Sequence, residues 1–232
     1  MFKLAPPKRR DYTYTVIIPP TELPVSLQKF KDYIKKPSST EDSVLTMFLA
    51  AATVEAEKLT RRDFIERTYN TFRDFFPAAW QNEGYYSGGF IPSSSQTIKL
   101  VDENVGYEIR KSPLVSVSNI EYNDVSGGVT VVPTAVYYST VEEDYSEILT
   151  NPSQAWPDDL LVRLQTIKIT FLCGLSPNRT AFETNHPNLC RAIMSHAMSM
   201  WVNRGDCDSD ACATAMPASA KSTYLRCRIE NL

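Results

Sequence analysis

Apolar positions along this chain follow helical spacing at both ends and strand-like spacing in the middle. From Ser39 to Phe64, Val44, Leu45, Phe48, Leu49, Ala52, Ala56 and Leu59 fall on one helical face, and Glu55, Glu57 and Lys58 occupy the polar side. This predicts a long helix over about 41–62. Ser39 and Asp42 precede it at capping-box spacing, a hydroxyl and a carboxylate for two orphan N–H groups. A shorter helix is predicted over 26–35: Ser26 can cap it, Leu27, Phe30 and Ile34 share a face, and Pro37 ends it. Helical spacing returns over 187–204, where Leu189, Ala192, Ile193, His196, Ala197, Met200 and Trp201 line up. Pro187 suits its first turn, and Arg204-Gly205 its stop. Leu45, Phe48, Leu49, Ile193 and Trp201 form the expected helical core.

Between Thr68 and Phe171 the pattern changes to β-branched and aromatic runs: 69–75, 97–101, 107–110, 115–122, 129–132, 136–139 and 163–171. Ser126-Gly127-Gly128 marks a hairpin turn. Residues 83–96 are rich in Gly and Ser around Tyr85, Tyr86 and Phe90, a loop pattern. The fold class expected is α+β: a small bundle of three main helices with a β-rich insertion over about 68–171. Residues 25–205 would form this body. Residues 1–24, proline-rich with Tyr12, Tyr14, Val16 and Ile18 in alternation, read as an extended arm able to add as a strand. Residues 206–232 read as a tail without the periodicity to form a core of its own.

Composition narrows the function. With 43% hydrophobic and 22% charged residues, the 232-residue chain is ordinary globular material. A net charge of −3 argues against a general nucleic-acid coat. No stretch is long and apolar enough for a membrane span, and the first ten residues lack a signal-peptide core, so a cytoplasmic origin is expected. Charge is uneven: residues 1–36 hold eight basic and three acidic residues, about +5, which leaves about −8 on the remainder. The densest acidic run is Glu142, Glu143, Asp144 and Glu147.

Candidate chemistry is sparse. His186 and Cys190 stand one helical turn apart, Cys207 and Cys212 are separated by four residues, and Cys173 and Cys227 stand alone. Zinc sites show two tight ligand pairs, which this spacing lacks. The five cysteines, without a secretory signal, do not suggest a disulfide framework. Only two histidines are present, and no Gly-x-Ser-x-Gly elbow. His196 lies on an apolar face, where a packed, hydrogen-bonded core role is expected. Gly88-Gly89 and Gly127-Gly128 lack phosphate-loop spacing. No catalytic residue, metal or cofactor is expected; a small metal-dependent hydrolase is the rival from a different class, and it requires the His and Cys side chains to converge.

The order of residues carries more than their spacing. Pro24-Val25-Ser26-Leu27 and Phe30–Ile34 lead into the 41–62 helix, and Thr60–Tyr69 into the first strand. Then come Ile98-Lys99-Leu100, Ser112–Asp124, Ala155-Trp156-Pro157, Ile167–Leu175, His186–Ile193 and Trp201–Gly205. In this order the segments resemble the head–tail connector (adaptor, or head-completion) proteins of long-tailed bacteriophages, over about residues 24–205. The 78–96 loop and the arm are longer than is usual there.

This resemblance implies a structural virion protein rather than an enzyme. It implies a homo-oligomeric ring of twelve copies in the neck, assembled in the host cytoplasm and docked under the portal protein. The ring would extend the DNA channel, without sequence-specific DNA binding, and would meet a downstream neck or tail-completion protein. Another neck or tail-completion ring differs only in its partner. The tail patch Tyr224, Leu225, Arg226, Arg228 and Ile229 is the expected portal anchor, ordering on assembly. Glu142, Glu143, Asp144 and Glu147 are expected to face the channel, where like charge keeps DNA from sticking.

Overall fold

The computed structural model describes residues 13–77, 106–141, 146–161, 163–203 and 216–229. The fold is α+β, with five helices and two antiparallel sheets among these residues. The helices are α1 (Leu27–Ile34), α2 (Asp42–Thr60), α3 (Arg179–Asn185), α4 (Pro187–Val202) and α5 (Ala218–Arg226). The strands are β1 (Tyr14–Ile18), β2 (Arg67–Arg73), β3 (Tyr107–Ile109), β4 (Leu114–Asn123), β5 (Val129–Val131), β6 (Tyr137–Val141), β7 (Ser146–Thr150) and β8 (Ile167–Cys173).

Local chemistry sets the helix ends. The Ser26 hydroxyl accepts from Lys29 N at 3.2 Å and starts α1, and Lys35 in the left-handed region ends it. The expected capping box does not form at α2. Glu41 is its cap residue and makes no side-chain cap bond. The two carboxylates are held elsewhere: Asp42 by Lys31 at 2.8 Å, Glu41 by Lys36 at 2.6 Å and by the Trp201 indole N–H at 3.2 Å. These contacts tie the start of α2 to α1 and to the end of α4.

The helical core gathers Val25, Phe30, Leu45, Leu49, Ala52, Ala56, Phe64, Phe182, Leu189, Ile193, Ala197 and Tyr224, with Phe48 and Trp201 packed against it partly buried. Five helices build this body rather than the three expected. Two were missed because each buries little: α3 buries only Phe182, and α5 only Ala220 and Tyr224.

The five-stranded sheet runs β1-β2-β8-β4-β5 and the three-stranded sheet β3-β7-β6. In β8, Ile167, Ile169, Phe171 and Cys173 alternate inward, and they pair in register with Arg73, Thr71, Tyr69 and Arg67 of β2. Their side chains join Ile120, Tyr122, Tyr107, Ile109, Ile148 and Tyr137 in a second core between the sheets. Trp156 is its aromatic centre, stacked 5.2 Å from Phe76 and tilted against Tyr107 at 5.6 Å. The β4–β5 turn uses Gly127 at φ +87°, and the Asp124 carboxylate accepts from the Gly128 N–H at 3.0 Å and from the Ser126 N–H at 2.8 Å. That set of donors, the Ser126 hydroxyl first, holds the Asp124 carboxyl below its ordinary pKa.

Part of the expected arm belongs to the fold. β1 pairs antiparallel with β2, Leu23 and Val25 enter the helical core, and Glu22 accepts from the Arg179 N–H at 2.8 Å. Helical and β parts meet at Gly174, whose φ of +154° and absent Cβ let it press on the Ile65–Glu66 backbone; a Cβ there would lie 2.6 Å from Glu66 Cα.

Candidate assembly surfaces

The C-terminal segment is the first surface to place. α5 lies on α4 and α2, with Tyr224 and Ile229 fully buried inside the chain's own core. The Ile229 N–H donates to the Thr60 carbonyl at 3.1 Å, and Arg62 Nε to the Cys227 carbonyl at 2.9 Å. This corrects the expectation of a tail that lacks core contacts: Tyr224 and Ile229 face inward and are not available to a partner in this fold. Leu225, Arg226 and Arg228 are exposed; Lys221 and Arg226 on α5, with Arg228 just past its end, make this surface cationic. Beneath it, the Tyr224 hydroxyl and His196 Nδ1 are buried without a hydrogen-bond partner among the described residues, their rings 6.1 Å apart. His196 is packed as expected, but its Nδ1 lacks the expected hydrogen bond among the described residues.

The acidic segment is only partly placed. Glu142, Glu143 and Asp144 lie outside the described residues, and so does the 78–96 loop. Glu147 is half-buried on β7, opposite Glu108 and Thr140.

The junction between the two cores holds a charge network that sequence patterning did not single out. Asp63, on the exit from α2, accepts from the Tyr69 hydroxyl at 2.8 Å and pairs with Arg67 at 3.5 Å and Lys111 at 3.6 Å. Glu57 accepts from Arg67 at 2.6 Å and from the Phe64 N–H at 3.0 Å. Burial raises the Glu57 pKa despite the Arg67 guanidinium, and it raises that of Tyr69 further, with Asp63 adding to the effect. The network ties α2, β2 and the β3–β4 connection together. Its sequence signal was present in the alternating charges of 61–67, without a partner to assign to them.

Catalytic chemistry finds little support in the described residues. No group of three or more His, Cys, Asp or Glu side chains is placed to hold a metal ion among them, and Cys207 and Cys212 lie outside. Cys190 is buried in the helical core, and that burial pushes its thiol up to about 11. Cys173 is buried and pushed up as well, by burial first and then by Asp63. A thiol raised in this way is a poor nucleophile at neutral pH. His186 precedes α4 and makes no side-chain cap bond.

The sheet surfaces are more open. Opposite the second core, the five-stranded sheet shows a polar ladder: Thr170 donates to Asn70 at 2.8 Å, and Lys168 and Asn119 both reach Glu121, at 3.0 and 2.8 Å. At the sheet's ends, β1 and β5 are edge strands with exposed valines and isoleucines.

No protein-family model matches the chain, and no curated protein matches its sequence. Solved structures do. A chain in the neck of an empty gene transfer agent particle, computed with C6 symmetry, is 16% identical with a TM-score of 0.62, over 95% of this chain and 97% of that one. A chain in the virion of the native gene transfer agent particle is 16% identical with a TM-score of 0.63, over 94% and 96%. A chain in the native particle neck, computed with C12 symmetry, is 17% identical with a TM-score of 0.59, over 95% and 96%. The chain shares its fold with these chains of gene transfer agent particles. This agrees with the head–tail connector resemblance read from the sequence, and the likeness extends over nearly the full length of both chains.

Proposed function

We propose that this chain is a head–tail connector: a structural virion protein, assembled in the host cytoplasm, that forms a twelve-copy ring under the portal. The ring extends the DNA channel and presents a platform to the next neck or tail-completion protein. One observation carries the reading: the near full-length fold likeness to chains of particle necks solved with C12 and C6 symmetry. A closed ring needs a heterologous interface, one face of each copy against a different face of the next. Strand and hairpin contacts from 97–139, which include β5, are the proposed source of that interface. Portal docking falls to the exposed part of the C-terminal patch, Leu225, Arg226 and Arg228. The acidic run Glu142, Glu143, Asp144 and Glu147 faces the channel or its rim. The reading gives the chain no catalytic role.

Deleting the gene tests this directly. The expected product is DNA-packaged heads without tails, rescued by supplying the chain in trans. Complete, tailed particles in its absence would overturn the reading.

A further inference from the structure

The five-stranded sheet ends in two edges that differ in kind. β1 is an edge without the usual safeguards: residues 13–18 contain no charge and no proline, and Val16, Ile17 and Ile18 are 41–59% exposed. Protein sheets blunt such edges with lysine, proline or a covering element, because unpaired N–H and C=O groups recruit another strand. Among the described residues nothing pairs with the outer edge of β1. At the other end, β5 shows Val129 and Val131 at 69% and 53% exposure, also unpaired on its outer side among the described residues.

Charge separates the two ends in the same sense. Residues 1–12, which lead directly into β1, carry Lys3, Lys8, Arg9 and Arg10 against Asp11 alone. The β part, residues 67–173, holds thirteen acidic and seven basic side chains, about −6. The chain that enters β1 is therefore cationic, and the part that carries β5 is anionic.

We propose that the occupant of the β1 edge is a second copy of this chain. β1 of one subunit adds to β5 of the next, which joins the end of the chain that is cationic in sequence to the part that is anionic. The pairing joins two different edges, so it is head-to-tail and propagates beyond a dimer, closing into a ring when the rotation per subunit closes. Main-chain hydrogen bonds supply the contact and the exposed valines and isoleucines its apolar part. This rests on the ring reading above and names the interface within it.

Thr15 pairs with Asn70 and Val131 with Glu121, so both lie on the polar-ladder face of the sheet. Across a β1–β5 junction they would stand on the same face of one continuous sheet. The test uses full-length chains with two different tags, one Thr15→Cys and the other Val131→Cys, co-expressed with the other particle proteins. Purified particles are treated with a short bis-maleimide, with the unsubstituted chain as the background control. The expected result is a covalent dimer that carries both tags, reduced about tenfold when Lys8, Arg9 and Arg10 are changed to Glu in the Thr15→Cys chain. A dimer formed by Thr15→Cys alone would mean symmetric edge pairing and would overturn the proposal. A ring visible in particle images without any mixed-tag dimer would overturn the interface and leave the ring reading standing. Particles without a ring of this chain would overturn both.

Discussion

His196 shows how a single buried side chain couples this fold to pH. It is 1% exposed under α5, its Nδ1 has no partner among the described residues, and burial lowers its pKa below 6.5, with Glu55 opposing. His186 is lowered too, by burial first. Both folded-state values are depressed, so the unfolded chain binds these protons more readily. Stability is complete well above pH 6.5 and is lost as pH falls through the window below it. The melting temperature should therefore be lower at pH 5.5 than at pH 7.5. His196→Leu should remove part of that difference and leave the part due to His186. Thermal scans of both chains at the two pH values check this, and an unchanged difference in the variant would contradict it. Nothing in the sequence marked the state of the His196 Nδ1: its place on an apolar face was legible, its hydrogen bonds were not. The same holds for Asp63, whose partners Tyr69 and Lys111 come from β2 and the β3–β4 connection.

Among the elements, those that bury a long periodic face were legible and those that bury one or two side chains were not. α1, α2 and α4 lie within about two residues of their expected bounds. α5 anchors through Ala220 and Tyr224, one turn apart in a run of Ala, Ser and Thr, too little for periodicity to register. β7 hides its alternation because Ile148 and Leu149 are both buried. α5 yields a prediction opposite to that for a loose tail. Deleting 217–232 removes Ala220, Tyr224 and Ile229 from the helical core. Loss of a buried aromatic alone costs about 3–5 kcal/mol, or roughly 10 °C in a chain of this size. Arg226→Glu with Arg228→Glu, both exposed, should stay within about 0.5 kcal/mol of the parent. Calorimetry of the two variants decides it: a deletion that melts with the parent would mean that α5 contributes nothing to the core.

For the whole molecule, charge is the property that bears on function. The β part is anionic, and Glu142, Glu143, Asp144 and Glu147 are its densest run. If they line the channel, as proposed, their change to Lys should slow DNA release, because cations on the wall hold phosphates. Ejection kinetics from packaged particles, with the melting temperature as a folding control, would show it; unchanged release at unchanged stability would remove these residues from the channel. The overall α+β plan and the neck resemblance were both legible in the order of segments. The strand in the arm was legible in the alternation of Tyr14, Val16 and Ile18; the integration of 19–24 and 216–229 was not, because each completes a surface that only the folded chain provides. The most direct test of the central claim is to image particles that carry a small tag at the chain's C-terminus. Added density in one ring between portal and tail is the expected result; density on the capsid shell or along the tail would contradict the account.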